Sequence, residues 1–210
     1  MRTRRLLIVT GVLAIITIAM SFYAHSLPRF PGDLELTLRF QSVHSDLLLS
    51  GMKWVSYFAE GWRQALLVII FGITVWWRLG KSKMVLTIAA ETSNLLVYVM
   101  KFVVGRPRPT PDLIQVWEVK NNASFPSGHA FFAMVVLGLT AYFALTYVSR
   151  KSLRMVIVIS LLVVIILIGA SRVYLGAHWP SDVMGGYTAG AVFLGIFIWL
   201  DRVLSRRLSV

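Results

Sequence analysis

The sequence predicts an all-α integral membrane bundle of six transmembrane helices, with an interfacial helix after the first span. Three observations predict it. Of 210 residues, 57% are hydrophobic and only 14% charged, and the mean hydropathy is +0.74, a composition that partitions into lipid rather than water. Uncharged or nearly uncharged runs long enough to cross a bilayer recur along the chain. The basic residues fall in short clusters between those runs. Several spans leave little length for a soluble module, so the chain reads as one domain, 1–210. A net charge of +12 would suggest nucleic acid in a soluble protein, but clusters flanking apolar runs suit anionic headgroups and topology instead, which excludes a nucleic-acid partner. With no cysteine, neither a disulfide framework nor a thiolate metal site can form.

The first run, Leu6 to Phe22, follows Arg2, Arg4 and Arg5. It is long for a signal-peptide core and reads as an uncleaved first span. From His25 to Arg63 the chain is mixed. Pro28 and Pro31 break it, and then Leu36, Phe40, Val43 and Leu47 recur at helical spacing, predicting a helix along the membrane surface. Trp54, Tyr57, Phe58 and Trp62 fit an aromatic belt at headgroup level. The second span, Ala65 to Trp77, is short on its own count and is expected to extend into the preceding segment. The third, Met84 to Val104, carries Glu91, Thr92, Ser93 and Asn94 and ends near Lys101. An ionisable residue in a span is a functional candidate, and interhelical hydrogen bonding accounts for Glu91 equally well. Asn94 and Lys101 are seven residues apart on one helix face, with Asn94 roughly 10 Å deeper, so Asn94 is expected to line a cleft leading up to Lys101. Ala130 to Ser149, Met155 to Ser171 and Val183 to Leu200 complete the six. Gly138, Gly169, Gly185, Gly186, Gly190 and Gly195 read as close-packing positions between helices.

Six spans put both termini on one side. Arg2, Arg4 and Arg5, then Arg78, Lys81 and Lys83, then Arg150, Lys151 and Arg154, then Arg202, Arg206 and Arg207 all fall on that side, with only Asp201 against them. By the positive-inside rule it is the cytoplasm, which places a multi-pass protein in the cell membrane with both termini inside. The loops between spans three and four and between spans five and six then face outward, and they carry the polar chemistry.

In the first of these loops, Lys101, Arg106 and Arg108 gather charge beside stiffening prolines. Next comes "FPSGHA", where Ser127 is placed to cap the fourth span, Gly128 lets the backbone approach a ligand and His129 occupies the first turn, an arrangement suited to an anion. In the second loop, Arg172 precedes His178, Pro180 fits the opening of the sixth helix, and Asp182 follows His178 by four residues. On a helix that spacing lets the carboxylate hold one imidazole nitrogen while the other points away as a nucleophile or base. Together these groups complement phosphate. The cations and backbone N–H groups balance a trigonal-bipyramidal transition state, one histidine attacks phosphorus, and the other protonates the leaving oxygen. A metal site built from His129, His178 and Asp182 is the chemical rival, and four neighbouring cations disfavour it.

The three segments resemble the signature of the type 2 phosphatidic acid phosphatases, the membrane branch of a superfamily that includes vanadium haloperoxidases and bacterial non-specific acid phosphatases. Its first motif is met by Lys101, Arg108 and Pro109, its second by Pro126 to His129, and its third by Ser171, Arg172, His178 and Asp182. The match spans 101–182. The resemblance implies that His178 attacks phosphate to form a phosphohistidine, that Asp182 orients and stabilises the ring, and that His129 protonates the leaving lipid oxygen. It further implies that Lys101, Arg108, Ser127, Gly128 and Arg172 hold the phosphate oxygens, and that no metal or other cofactor is needed. Arg106 lies outside the motif and is expected, with Asn94, in the substrate cleft as a headgroup contact.

The implied substrate is a phosphorylated lipid with its tail in the bilayer. Undecaprenyl diphosphate, phosphatidylglycerophosphate and phosphatidate are the options, and no protein partner is deducible. Two rival functions share the helices: a phosphotransferase using the same phosphohistidine, and a non-catalytic lipid transporter or binding protein with no need of a His178 nucleophile.

Overall fold

A computed structural model describes residues 3–207. Arg2 lies outside them, as do the side chains of Arg206 and Arg207. Among the described residues all regular structure is helical. The elements are α1 (Thr3–Ser26), α2 (Asp33–Gln41), α3 (Asp46–Phe58), α4 (Gly61–Leu79), α5 (Lys81–Thr92), α6 (Leu95–Val104), α7 (Gly128–Tyr147), α8 (Lys151–Tyr174) and α9 (Pro180–Arg207). Six spans long and apolar enough to cross a membrane result: α1, α4, α5 with α6, α7, α8 and α9. Each except the fourth contains its expected apolar run and extends beyond it at one or both ends, because a terminal helical turn can carry polar residues into the interface. The fourth starts two residues early and ends at Tyr147, short of the expected Ser149. The second span takes in Trp62, Arg63 and Gln64, as its short apolar count required, and Gly61, at a φ of 62°, separates it from α3.

The third span is interrupted where Thr92, Ser93 and Asn94 follow one another. Ser93 Oγ donates to Ala90 O at 2.6 Å, while the Leu96 and Val97 amides reach only three residues back, to Ser93 and Asn94. Short hydroxyl and amide side chains compete with the helix for its own backbone groups, so the rod resets here without ending. The fourth span is also modulated, with Ala133–Leu137 wound as a π-helix.

The segment from His25 to Arg63 differs from the single surface helix expected. It forms α2 and α3, the latter started by Ser45, whose Oγ accepts from the Leu48 amide at 3.1 Å. The buried face of α2 is Asp33, Thr37 and Gln41, whereas Leu36, Val43 and Leu47 are exposed and Phe40 is half-buried. At a membrane surface the apolar stripe can face lipid, and the polar stripe is then free to enter the protein and meet a polar site. Trp54, Tyr57, Phe58 and Trp62 point outward, as a belt should.

The centre of the bundle is α7, whose Phe131, Val135, Leu139 and Phe143 lie in the main core. The glycines explain how closely its neighbours approach. A Cβ on Gly186 would lie 2.5 Å from Ser127 O, one on Gly185 2.2 Å from the Phe125 ring, and one on Gly190 2.9 Å from Phe131 O. Gly138, Gly169 and Gly195 are similarly pressed by Leu194, Tyr187 and Thr10. Without a hydrophobic drive between helices in lipid, such close backbone contact is a main source of association. At the far end, Lys83 is buried in an ion pair with Asp201 (2.5 Å) and donates to Ser205 Oγ (2.7 Å). One of the loop cations therefore fastens α5 to α9.

Gly186→Ala places a methyl against an immovable carbonyl. It should destabilise the protein by about 1–3 kcal/mol, read by reversible unfolding in mixed micelles. An unchanged midpoint would mean that α7 and α9 can separate freely.

Candidate active site

The end of α6 sends two arginines in different directions. Gly105, at φ 64°, closes the helix in the left-handed conformation, with its amide on Lys101 O, and Pro107 and Pro109 keep the chain from resuming it. Lys101, in the last turn, is buried. Its ammonium donates to Ala123 O (2.5 Å) and Ser124 O (3.0 Å), which leaves its third donor for another group.

Arg106 turns inward and is 1% exposed. Its Nη1 donates to Asp182 Oδ1 (2.6 Å) and Ser181 Oγ (2.8 Å), its Nη2 donates to Asp33 Oδ2 (2.9 Å), and its guanidinium lies over the Phe30 ring. Asp33 in turn accepts from the Ser181 amide and hydroxyl. This corrects the expectation of a headgroup contact. Two buried carboxylates demand a cation between them, and Arg106 supplies a forked one.

Asp182, in the first turn of α9, accepts at Oδ2 from the Trp179 amide (2.8 Å) and the Ser124 hydroxyl (2.5 Å). His178 is not on that helix, because α9 begins at Pro180. Its Nδ1 is 3.5 Å from Asp182 Oδ2 and 3.3 Å from Ser124 Oγ, so Ser124 relays the carboxylate to the ring instead of a direct bond between helix neighbours. The other ring nitrogen, Nε2, is 3.3 Å from Arg108 Nη1. A guanidinium can only donate, so Nε2 is the acceptor and the proton sits on Nδ1. Burial first, then the charges of Lys101, Arg108 and Arg172, pushes the imidazole well below the ordinary histidine value. It is therefore neutral with an available lone pair. Arg108 itself is braced by Asn122 and by Ala177 O (2.5 Å), and burial together with Arg172 lowers it to about 10, still a cation at neutral pH.

The opposite wall is built on Arg172. It donates in a fork to Glu118 (2.7 and 2.9 Å) and also to the Ser56 hydroxyl. Burial raises the Glu118 carboxyl, but the hydrogen bonds and charge of Arg172, with Lys120 and His129 behind them, outweigh it and hold it at about 2. Lys120 bridges Glu118 and Glu60, and His129 Nε2 is 4.0 Å from Glu60.

These walls enclose a cavity of about 440 Å³ lined by Lys101, Arg108, Gly128, His129, Arg172, His178 and, farther along, Asn94. Asp182 stands behind His178, and Ser127 is fully buried at the start of α7. Ser127 does not cap the span with its side chain as expected, for its Oγ bonds no backbone amide. Ser127 Oγ, His129 Nε2 and Arg172 Nε are buried without a hydrogen-bond partner, an expensive state that an oxyanion in the cavity would relieve for His129 and Arg172, which line it. Sequence reasoning missed Ser124, Asp33 and Glu118. Ser124 carried a weak signal, being inside the polar run that leads to Ser127. Asp33 and Glu118 carried none, since each acts on a partner far away in the chain.

Arg106→Ala strands two buried carboxylates and should cost about 3–5 kcal/mol of stability in mixed-micelle unfolding, with Arg106→Lys recovering only part. A histidine NMR titration in detergent should show His178 neutral down to a pH below about 6.5, protonating only on further acidification. A midpoint at or above that value would contradict the cationic screen around the ring.

The chain is similar to known proteins. A model of the PAP2 superfamily matches residues 80–205, which include every motif position named above. Phosphatidylglycerophosphatase B of Bacillus subtilis (strain 168) is 32% identical over 143 residues, covering 67% of this chain and 68% of that protein. Among solved structures, a transmembrane PAP2-type phosphatidylglycerolphosphate phosphatase from Bacillus subtilis has a TM-score of 0.81 at 22% identity, covering 92% of this chain and 96% of its own. Aquifex aeolicus LpxE gives 0.65 at 24% identity, covering 83% and 98%. With a family model over more than half its length and a relative of this identity and coverage, the chain belongs to the PAP2 superfamily.

Proposed function

We propose that this membrane lipid phosphatase removes the terminal phosphate of a phosphorylated lipid at the outer face of the cell membrane, through a phosphohistidine on His178. The observation that carries the reading is a neutral imidazole whose Nε2 lone pair looks into a cavity walled by Lys101, Arg108 and Arg172. In the first step Nε2 bonds to phosphorus as the bond to the lipid oxygen breaks, and His129, entering as the imidazolium that the bound phosphate dianion favours, gives that oxygen its Nε2 proton and becomes neutral. In the second, His129 takes a proton from water as the water oxygen bonds to phosphorus, and the P–N bond breaks to release phosphate and neutral His178. The positive charge that His178 gains in the intermediate is met by Asp182 through Ser124. Arg108, which donates to Nε2 while no phosphate is bound, shifts to a phosphate oxygen and so uncovers the nucleophile. Lys101, Arg172, Ser127 Oγ and the Gly128 amide complete the oxyanion cradle.

The cations do the charge neutralisation a divalent ion would otherwise do, and they would repel one. The outer-face assignment is supported by the basic residues Arg4, Arg5, Arg78, Lys81, Arg150, Lys151, Arg154 and Arg202, which belong to the opposite end of the bundle from the site. The named activity of the Bacillus subtilis relative makes phosphatidylglycerophosphate the first substrate to try.

His178→Ala should lower phosphate release on the order of 10⁴-fold or more, and wild-type release should persist in EDTA. Rapid quenching into alkali with phosphorus-32-labelled lipid should trap an acid-labile label that His178→Ala lacks. Mutant turnover within about tenfold of wild type would remove His178 as nucleophile, and EDTA inactivation reversed by a divalent ion would restore the metal reading.

A further inference from the structure

The cavity continues beyond the phosphate side chains. From Lys101 it follows α6 to Asn94, Glu91 and, on α4, Gln64. Asn94 is seven residues from Lys101, roughly 10 Å along the helix, and Glu91 is deeper still. Gln64 Nε2 donates to Glu91 Oε1 at 2.8 Å, tying α4 to α5. Helix pairing is satisfied by that one bond. Yet Glu91 Oε2 is buried with no hydrogen-bond partner within bonding distance, and the Asn94 amide lies beside the same carboxyl on the same wall. Polar groups at membrane depth are costly and face cavities or polar partners, so a cleft made only for hydrocarbon would not carry Gln64, Glu91 and Asn94 together.

We propose that Gln64, Glu91 and Asn94 form a polar subsite for the uncharged ester and hydroxyl groups of a glycerolipid phosphate, and that this subsite selects glycerolipids over isoprenoid diphosphates. The proposal deepens the phosphatase reading and rests on it for the position of the phosphate. In an isoprenoid diphosphate, hydrocarbon begins directly after the phosphates, and it would lie against Gln64, Glu91 and Asn94. In a glycerolipid phosphate, a glycerol and its esters come before the hydrocarbon. In phosphatidylglycerophosphate the headgroup glycerol has one free hydroxyl, which can donate to Glu91 Oε2, and beyond its phosphodiester the acyl ester carbonyls can accept from the Gln64 and Asn94 amides. A site built to hydrogen-bond a ligand discriminates strongly against one that leaves its polar groups unpaired.

The test compares kcat/KM for dioctanoyl phosphatidylglycerophosphate with kcat/KM for farnesyl diphosphate, in wild type, Gln64→Leu, Glu91→Leu and Glu91→Gln. Each Leu variant should lower the glycerolipid-to-isoprenoid ratio roughly tenfold, and Glu91→Gln, which keeps hydrogen-bonding capacity, should stay near wild type. An unchanged ratio in the Leu variants, or a parallel fall on both lipids, overturns the subsite. The same four proteins carrying His178→Ala, scored by ligand-induced thermal stabilisation, separate the two readings. If wild type hydrolyses neither lipid, the phosphatase reading fails. The subsite then stands if the Leu variants lose stabilisation by the glycerolipid alone, and falls if all four respond equally.

Discussion

Everything around the histidine depends on one guanidinium. Arg106 joins Asp33 from the surface helix, Ser181 and Asp182 from the start of the last span, and the backbone that leaves the third span. Those pieces are 73 and 76 residues from Arg106 in the chain, and no apolar contact would specify their register so sharply. A buried carboxylate pair without its cation is strongly unfavourable, so there is one acceptable arrangement of these segments and the protein adopts it. The position of Asp182 follows from this, then that of Ser124, and through Ser124 the tautomer and aim of His178.

The electrostatic design has two halves that oppose each other. Lys101, Arg108 and Arg172 make the cavity attractive to phosphate, but burial and then the same charges push the His178 imidazole below its ordinary value, which suits the nucleophile proposed for it. Without ligand these cations need partners, and they find them cheaply. Lys101 and Arg108 rest on backbone carbonyls, while Arg172 rests on Glu118. Carbonyl partners are neutral and can be exchanged for phosphate oxygens without breaking an ion pair. The Glu118 carboxylate is different, because it stays charged far below neutral pH and holds Arg172 in a fixed fork. It orients that side chain while its Nε remains unpaired.

Much of this was legible before any fold was known. Six spans were readable because lipid imposes a length and a composition on every crossing segment, and the packing glycines because small residues are what helices in lipid use to approach. Lys101, Arg108, Ser127, His129, Arg172, His178 and Asp182 stood out as candidates because of their spacing around two loops, and the fold brings Lys101, Arg108, His129, Arg172 and His178 to one cavity. The surface segment was read as one helix where two form. Its apolar stripe was visible, but the sequence has no mark for whether such a stripe faces lipid or protein, and here the polar stripe of Asp33, Thr37 and Gln41 is the buried one.

What the sequence by itself determined is therefore the membrane and the number of crossings, since each follows from local composition, together with a set of candidate side chains for phosphate chemistry. What only the tertiary structure decided is which partner each of those side chains has. Arg106 reads as a headgroup contact in the substrate cleft until Asp33 and Asp182 are found beside it, and Asp182 reads as the sole partner of His178 until Ser124 is found bonded to both. Charge pairing acts over a few ångströms of space and is indifferent to distance along the chain. Only the folded bundle, by bringing remote segments together out of water, turns those charges into a site.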